Sequence, residues 1–227
     1  MQGPRIYLLD LTTSSLKELT TGEWPTWSPD GTKIAFQRET GQYLPTQSDV
    51  EIFAIDPITF RETQITNVEG SSYSGQPAWS PDGSTIAYSR FDPAEEGCWN
   101  YYTIYLMDST GNPKGPVTCE EMNYMDFSPS WSPDGKDVTF TRRRENQLNQ
   151  LYKVNIETKS ITKLTDSTGS NYNELTPAWS TDGNNIAVGS NIDGDFDIWL
   201  LDSNGGSYIT NLTNSNTDID GFPEFGE

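Results

Sequence analysis

The sequence Trp27-Ser28-Pro29-Asp30-Gly31 recurs at residues 79–83 and 131–135, and as Trp-Ser-Thr-Asp-Gly at residues 179–183. The tryptophans that open the four copies lie 52, 52 and 48 residues apart. In such a segment proline fixes φ at the second turn position, aspartate bonds to nearby backbone, and glycine takes the left-handed conformation. Each copy therefore predicts a tight β-hairpin.

Three shorter motifs accompany the pentapeptide. An apolar pair opens at Ile34, Ile86, Val138 and Ile186. A run of β-forming residues opens at Ile6, Ile52, Ile104, Leu151 and Ile198. A Leu-Thr-like pair opens at Leu19, Ile65, Val117, Leu164 and Leu212. Each repeat therefore predicts four short strands, which we name A to D, with the tryptophan on strand A.

A repeat near 50 residues with four strands per unit is typical of a β-propeller, in which each sheet is one blade. The sequence predicts an all-β fold and one domain over residues 1–227, with no long helix. The repeats fall around residues 21–66, 67–118, 119–165 and 166–213, with partial blade strands at 5–20 and 219–227. We interpret the chain as four complete blades within a longer propeller, and expect Trp27, Trp79, Trp131 and Trp179 to be buried between blades.

Charge and composition exclude several classes of partner and catalytic site. The chain has 33 Asp plus Glu against 14 Lys plus Arg, a formal net charge of -19, which argues against nucleic acid and anionic lipid surfaces as partners. It has no histidine, which excludes Ser-His-Asp and Cys-His catalysis and histidine-ligated zinc. No apolar run approaches the ~20 residues of a membrane helix, and residues 1–5 lack a signal-peptide core, so we expect no membrane insertion.

The spacing of the motifs distinguishes the two faces of the disc. From the strand A tryptophan to strand B the distance is 7 residues in all four repeats, whereas strand B to strand C takes 18, 18, 13 and 12. Because strands alternate in direction, the B–C and D–A loops share one face, and the A–B and C–D turns share the other. Loops that vary on a rigid scaffold are where binding usually resides, so we expect partners on the B–C and D–A face.

Trp-Ser-Pro-Asp-Gly, followed by an Ile-Ala-Phe-like strand, an Ile-Tyr-x-x-Asp-like strand and Leu-Thr, resembles the repeat of TolB-like β-propellers. The same repeat is found in propeller domains of prolyl-oligopeptidase-type peptidases. The resemblance spans nearly the whole chain. It implies an extracytoplasmic scaffold, periplasmic or at the cell surface, that binds other proteins.

Aromatic residues with acidic neighbours mark the variable loops. Such aromatics suit protein hot spots or stacking on sugar rings, and the alternative is that they pack the long loops onto the blades. The candidate binding residues are Trp24, Tyr43, Trp99, Tyr101, Tyr102, Tyr124 and Tyr172. Residues 142–144 are three arginines, which either pair with neighbouring acids or grip an anionic ligand.

Calcium is the one cofactor that the sequence suggests, and otherwise we expect none. Asn216, Asp218 and Asp220 alternate before a glycine, and Glu227 stands at the twelfth position of an EF-hand-like loop. The alternative is a D–A loop that leads into another strand A. A second acidic run, residues 193–197, is better explained by turn chemistry.

Cys98 and Cys119 are the only cysteines. They flank strands C and D of the second repeat at the same end, so a disulfide is geometrically reasonable and would indicate an oxidising compartment. Two free thiols are the alternative.

Two functions remain open. The first is a non-catalytic scaffold that recognises a protein or glycan with the variable loops. The second is the propeller of a larger enzyme, either peptidase-associated or polysaccharide-lyase-like. No spacing singles out a catalytic pair of carboxylates.

Overall fold

The computed structural model describes residues 3–40, 49–67, 72–91, 101–119, 123–144, 147–165, 172–214 and 220–224. All regular secondary structure in these ranges is β-strand, as the sequence predicts. None of the described residues forms a helix with the length and hydropathy needed to cross a bilayer.

Eighteen strands follow one another along the described chain. A hairpin comes first, with β1 (Arg5–Asp10) and β2 (Ser15–Thr21). Blade 1 contains β3 (Glu23–Trp27), β4 (Ile34–Glu39), β5 (Val50–Ile55) and β6 (Glu62–Gln64). Blade 2 contains β7 (Tyr73–Trp79), β8 (Thr85–Phe91), β9 (Thr103–Asp108) and β10 (Pro113–Pro116). Blade 3 contains β11 (Tyr124–Trp131), β12 (Asp137–Arg144), β13 (Gln150–Asn155) and β14 (Ile161–Lys163). Blade 4 contains β15 (Glu174–Trp179), β16 (Asn185–Ser190), β17 (Asp197–Asp202) and β18 (Tyr208–Asn211).

Each blade is an antiparallel sheet whose strands lie in chain order, A to D. One parallel pairing, Val50 with Tyr73, also joins blades 1 and 2. The β1–β2 hairpin supplies strands C and D of a partial blade before blade 1. The predicted propeller of four complete blades with flanking strands is therefore confirmed.

The Ser-Pro-Asp-Gly turns close as predicted. In the first, the Gly31 N–H donates to Ser28 O at 2.8 Å, and the Ser28 hydroxyl donates to Asp30 Oδ1 at 2.6 Å. The glycines of the four turns have φ between 68° and 72°, a conformation that favours glycine. Hydrogen bonds from Ser28 and Thr32 lower the pKa of Asp30.

Strand A carries a β-bulge three residues before its tryptophan. The bulge residues Trp24, Gln76, Ser128 and Thr176 all have φ between 48° and 53°. The pairing of strands A and B shifts register at the same place in every blade. A bulge bends a strand and increases its twist, and here it shapes the innermost strand of each blade.

The tryptophans pack each blade onto the preceding one. Trp79 is 8% exposed and clusters with Ala35 and Ile52 of blade 1. The Trp131 indole N–H donates to Ala78 O of blade 2 at 3.1 Å, and that of Trp179 donates to Thr139 Oγ1 of blade 3 at 3.0 Å. Both bonds reach strand A or B of the preceding blade.

Trp27 departs from the prediction that all four tryptophans are buried. It is 44% exposed, whereas Trp131 is 7% exposed and Trp179 is partly buried. The partial blade before it contributes only β1 and β2, strands C and D, among the described residues. Within the described part of the chain, Trp27 therefore has no strand A or B beside it of the kind that covers the other three tryptophans.

A polar layer lies under the ends of strands C at each junction between blades. The second residue of the Leu-Thr-like pair accepts a bond from the first apolar N–H of strand C, as in Thr66 with Ile52 at 2.8 Å and Thr165 with Leu151 at 2.9 Å. A carboxylate then accepts from the threonine hydroxyl. Thr66 donates to Glu51 of its own blade, and Thr165 donates to Glu174 of the next blade.

An arginine on strand B faces this layer in three of the four blades. The Arg142 guanidinium makes a buried bidentate pair with Asp126, at 2.7 and 2.9 Å. It also lies over the rings of Phe140 and Tyr152, 5.2 and 5.3 Å from their centroids. Arg38 and Arg90 stand at the equivalent positions of blades 1 and 2, and blade 4 has Ser190.

Glu174 consequently faces a serine where the other blades present an arginine. It is fully buried and accepts bonds from the Tyr208 hydroxyl at 2.7 Å, the Leu151 N–H at 2.8 Å and the Thr165 hydroxyl. Burial raises the pKa of Glu174, and the hydrogen bonds and the charge of Lys163 offset that rise only in part.

Replacing Trp79 with alanine should lower the free energy of unfolding by about 3–5 kcal/mol, because it leaves a cavity between blades. Trp27→Ala is the matched control and should cost less than about 2 kcal/mol, since its side chain is already half in solvent. Urea unfolding followed by far-UV circular dichroism measures both. Equal losses in the two variants would contradict the packing assigned to Trp79.

Glu174 should make the protein less stable as pH rises. Because its pKa is raised in the folded state, its contribution is full below its ordinary pKa of about 4.3 and is lost as pH rises through the folded value. Glu174→Gln should therefore remove a fall in stability that the parent shows as pH rises above about 4.3.

Asp134→Asn is the control of opposite sign for this pH series. Bonds from the Ser132 hydroxyl and the Lys136 N–H lower the pKa of Asp134, so its contribution is present above its ordinary pKa and lost as pH falls. Parallel unfolding curves for the parent and Glu174→Gln across this range would contradict the assignment.

Candidate binding face

The B–C and D–A connections leave the same ends of the strands, and we call the surface that they form the variable face. Parts of it, including residues 41–48, 92–100, 120–122 and 166–171, lie outside the described residues. The candidate binding residues Tyr43 and Trp99 fall in these parts.

The described candidates do not form one group. Tyr101, Tyr102 and Tyr124 lie together at the junction of blades 2 and 3. Trp24 lies on β3 of blade 1, and Tyr172 packs edge-on against Tyr208 of blade 4, with centroids 6.2 Å apart. The residues that can act together on one partner are therefore those at the junction of blades 2 and 3.

Tyr102 packs its loop onto the blades. Its ring lies 5.2 Å from Tyr73, 5.5 Å from Phe91 and 4.7 Å from Phe127, centroid to centroid. Burial raises the pKa of Tyr102. These contacts correspond to the loop-packing alternative, and they hold the start of β9 in place beneath the face.

Tyr101 and Tyr124 lie closer to the surface and carry polar contacts. The Tyr101 hydroxyl donates to Asn123 Oδ1 at 2.7 Å. Tyr124 begins β11, and its ring contacts two guanidinium groups, with the central carbons of Arg142 and Arg144 at 4.7 and 4.5 Å from its centroid. Both tyrosines are partly exposed.

The three consecutive arginines at the end of β12 divide into two kinds. Arg142 is 6% exposed and pairs with Asp126, the first of the two roles considered for this run. Arg143 and Arg144 are exposed at the surface. Arg143 lies 5.8 Å from the centroid of Phe127. We call Tyr101, Tyr124, Phe127, Arg143 and Arg144 the arginine–aromatic patch.

Hydrogen bonds link the strand A bulges of blades 2 and 3 to a glutamine of the preceding blade. Gln37 Oε1 accepts from the Tyr73 hydroxyl at 3.0 Å and from the Gln76 N–H at 2.9 Å. Gln76 Oε1 in turn accepts from the Ser128 N–H at 2.9 Å. A Cβ at Gly75 would collide with Gln37 Oε1 and with the Tyr73 hydroxyl, so one of these side chains would have to move.

The last described residues repeat this pattern beyond blade 4. Phe222 has φ 77°, and its N–H donates to the Thr176 hydroxyl at 3.2 Å. Its ring meets Trp24 edge-on, with centroids 5.1 Å apart. Residues 220–224 therefore lie against blade 4 as the start of another strand A.

The predicted calcium ligands are placed only in part. Asn216, Asp218 and Glu227 lie outside the described residues. The Asp220 N–H donates to Phe196 O at 2.9 Å, as the Asp126 N–H donates to Tyr102 O at 3.0 Å. The Asp220 backbone thus has the role of a strand A start, which is the alternative considered for this segment.

Asp193, Asp195 and Asp197 form a separate acidic cluster, with carboxylate oxygens within 4.8 Å of one another. The buried Asp197 accepts from the Asn211 amide at 2.7 Å and from the Thr213 hydroxyl at 3.0 Å. The same Asn211 amide donates to Asp193 at 3.2 Å. In the described part of the chain this is the one cluster with the spacing to hold a cation.

Cys119 is disulfide-bonded. The sequence holds one other cysteine, Cys98, which lies outside the described residues. A bond between them would tie the second B–C loop to the end of strand D.

The comparisons with known proteins agree with this architecture. A family model for the TolB beta propeller domain matches residues 92–227, more than half of the chain. The chain belongs to the TolB beta propeller domain family. The solved TolB structure from Acinetobacter baumannii superposes with a TM-score of 0.70 at 24% identity, covering 92% of this chain and 48% of that one.

Curated relatives share about a third of the aligned residues. An uncharacterized protein of Agrobacterium fabrum is 33% identical over 150 residues, 66% of this chain and 45% of its own length. Dipeptidyl-peptidase 5 of Porphyromonas gingivalis is 33% identical over 145 residues, 61% of this chain and 20% of its own. The chain thus spans less than half the length of these relatives.

The opposite face of this TolB beta propeller domain also has a concave feature. A groove of about 370 Å³ lies between the first two Ser-Pro-Asp-Gly turns, with Lys33, Trp79 and Ser109 among its lining residues. The Asp30 and Asp82 carboxylates in its walls accept bonds from hydroxyls of their own turns. The sequence predicts hairpin turns on this face and partners on the other.

Phe127 and the exposed arginines are the patch residues that the candidate list omits. The signal that would have found them is strand register: Tyr124 pairs with Arg144, and Asp126 pairs with Arg142. Because side chains alternate along a strand, Arg143 must leave the side on which Asp126 holds Arg142.

Gly75→Ala should break the inner hydrogen-bond chain and lower stability by about 1–3 kcal/mol, because Gln37 must give up buried partners. Gly205→Ala is the matched control, since a Cβ there meets nothing within 4 Å, and it should be nearly neutral. Thermal unfolding measures both. If the two variants melt together, the inner chain does not contribute as described.

Proposed function

We propose that this chain is a non-catalytic binding scaffold that recognises a partner protein on its variable face. The observation that carries the proposal is the arginine–aromatic patch, where the partly exposed Tyr124 and two exposed arginines stand on β11 and β12 and Tyr101 lies just before β9. Tyrosine and arginine are enriched among the residues that dominate protein interfaces. Patch residues held by sheet rather than by loop also lose little conformational entropy on binding.

Family membership supports this proposal and its location. The TolB-like resemblance implies a scaffold that binds other proteins outside the cytoplasm, and the disulfide at Cys119 fits an oxidising compartment. We therefore propose an extracytoplasmic protein. A glycan ligand remains the other partner class for the same aromatic residues, and the binding screen below separates the two.

A second candidate function is a propeller module of a larger enzyme, and one finding favours it. The similarity to dipeptidyl-peptidase 5 covers 61% of this chain but only 20% of that protein, so this kind of propeller also occurs inside a peptidase. Assays of this chain on peptides and on acidic polysaccharides test it directly. Turnover on either substrate class would contradict a non-catalytic scaffold.

The binding face is tested with an array of extracytoplasmic proteins and glycans. Tyr101→Ala should weaken binding to a captured partner at least about fivefold, since truncated hot-spot aromatics cost more than about 1 kcal/mol. Lys33→Arg, beside the first Ser-Pro-Asp-Gly turn, is the control and should leave affinity unchanged. Affinity lost through Lys33→Arg but kept in Tyr101→Ala would place binding on the opposite face.

A further inference from the structure

The partial strands at the two ends of the described chain meet beside blade 1. Residues 220–224 form the start of a strand A beyond blade 4, and the Phe222 ring meets Trp24, the bulge residue of blade 1, with centroids 5.1 Å apart. Strands β1 and β2, which are strands C and D, pack their Ile6 and Leu19 side chains against the same blade. These three strands therefore belong to one incomplete blade.

Strand B of this incomplete blade is missing among the described residues. In each complete blade, strand C pairs with strand B over six residues. Strand β1 pairs only with β2, so its other edge has no strand beside it in the part of the chain that the structure describes. We call this place, between residues 220–224 and β1, the strand B slot.

Apolar side chains that are covered in the complete blades are exposed around the slot. Leu9 of β1 is 51% exposed, whereas Ile55 and Met107, at the same position of strand C in blades 1 and 2, are at most 1% exposed. Trp27 of blade 1 is nearly half exposed, whereas the Trp179 indole N–H reaches Thr139 on strand B of the preceding blade. The same missing strand accounts for both exposures.

Tyr7 of β1 marks the side chain that a bound strand would meet. It stands at the strand C position that carries an aromatic ring in blades 1 to 3, and each of those rings lies beside an aromatic ring of strand B. The pairs are Phe36–Phe53, Tyr88–Tyr105 and Phe140–Tyr152, with centroids 5.8, 6.1 and 6.0 Å apart. Tyr7 is 48% exposed. A strand in the slot would therefore place an aromatic residue beside Tyr7.

The four strands B of this chain show which sequence fits the slot. Their first and third residues are apolar and at most 4% exposed, with a small residue between them: Ile34-Ala35-Phe36, Ile86-Ala87-Tyr88, Val138-Thr139-Phe140 and Ile186-Ala187-Val188. In the register of blade 1, the first residue lies opposite Ile55 and the third opposite Phe53. The equivalent neighbours in the slot are Leu9 and Tyr7.

Charge sets the fifth residue of the bound strand. In blade 1 the fifth residue of strand B, Arg38, lies opposite Glu51. Arg5 stands at that position of β1 and already pairs with Glu18 at 2.6 Å. Because like charges directly opposite each other destabilise a sheet, a neutral residue fits here better than the arginine of β4.

We propose that the strand B slot binds an extended segment of a partner protein, with the pattern apolar, small, aromatic and two uncharged polar residues, as an added strand B. Backbone hydrogen bonds to β1 supply affinity, and alternate side chains against Leu9 and Tyr7 supply specificity. The slot continues the interface that strands B and C form in every complete blade. It does not lie on the variable face, so this inference is independent of the proposed function.

Fluorescence anisotropy with labelled peptides tests the proposal on the full chain. The probe is capped Gly-Ser-Ile-Ala-Phe-Gln-Ser-Gly. Its matched control, Gly-Ser-Ala-Ile-Gln-Phe-Ser-Gly, has the same composition but carries its large apolar residues on the opposite face of a strand. The probe should bind at least about fivefold tighter than the control. Equal binding of the two peptides would overturn the proposal.

Two serine substitutions provide matched variants of the chain. Leu9→Ser should weaken binding of the probe at least about fivefold, because a bound strand would bury the leucine. Ile58→Ser removes a side chain that is 85% exposed on the C–D turn of blade 1, and should change binding less than about twofold. Tyr101→Ala, the test of the variable face, should also leave probe binding unchanged. Equal effects of Leu9→Ser and Ile58→Ser would overturn the proposal.

Amide hydrogen exchange locates the bound peptide. The probe should slow exchange of the β1 amides that point away from β2 by at least about tenfold, since a bound strand accepts their hydrogen bonds. Protection confined to the variable face would overturn the proposal. Slow exchange of these amides before any peptide is added would show that a second copy or other residues of the chain already fill the slot, and would overturn it as well. Thermal unfolding of each variant confirms that the fold is kept.

Discussion

Each blade depends on a neighbouring sheet to bury one of its faces. The strand A tryptophan shows how strict this dependence is. Trp79 is 8% exposed with a whole blade before it, whereas Trp27 is 44% exposed beside a two-stranded hairpin. The two residues share the same pentapeptide and the same turn. Their difference comes entirely from the neighbouring sheet, as expected of repeat folds in which each unit is stabilised by its neighbours.

Buried polar hydrogen bonds accompany this apolar stacking at the junctions between blades. Near the start of strand C, a carboxylate must accept a hydrogen bond from the threonine hydroxyl. The sequence places that carboxylate at either of two positions. Glu51 comes from strand C itself, whereas Glu174 comes from strand A of the next blade. The layer lies just under the variable face, so its bonds also fix the strand ends from which the variable loops depart.

The turns of the repeat can be predicted from local chemistry. The burial and packing of individual side chains depend on tertiary contacts. The Ser28–Asp30–Gly31 turn needs only residues within five positions, so the sequence alone predicts it. The packing role of Tyr102 could not be read in the same way, because its contacts Tyr73 and Phe127 lie on other strands. Residues 142 and 143 are both arginine. The pairing of Asp126 with Arg142 in the strand register determines which of the two is buried.

The groups with raised pKa values bear on the choice between scaffold and enzyme. Strongly shifted carboxyl groups often mark catalytic sites, where burial holds an acid protonated near its substrate. Burial raises the pKa of Glu174, but this carboxyl group is fully buried and bonded to Tyr208, Thr165 and the Leu151 N–H. A substrate cannot reach that carboxyl group without separating blades 3 and 4. Its raised pKa is therefore a property of blade stacking.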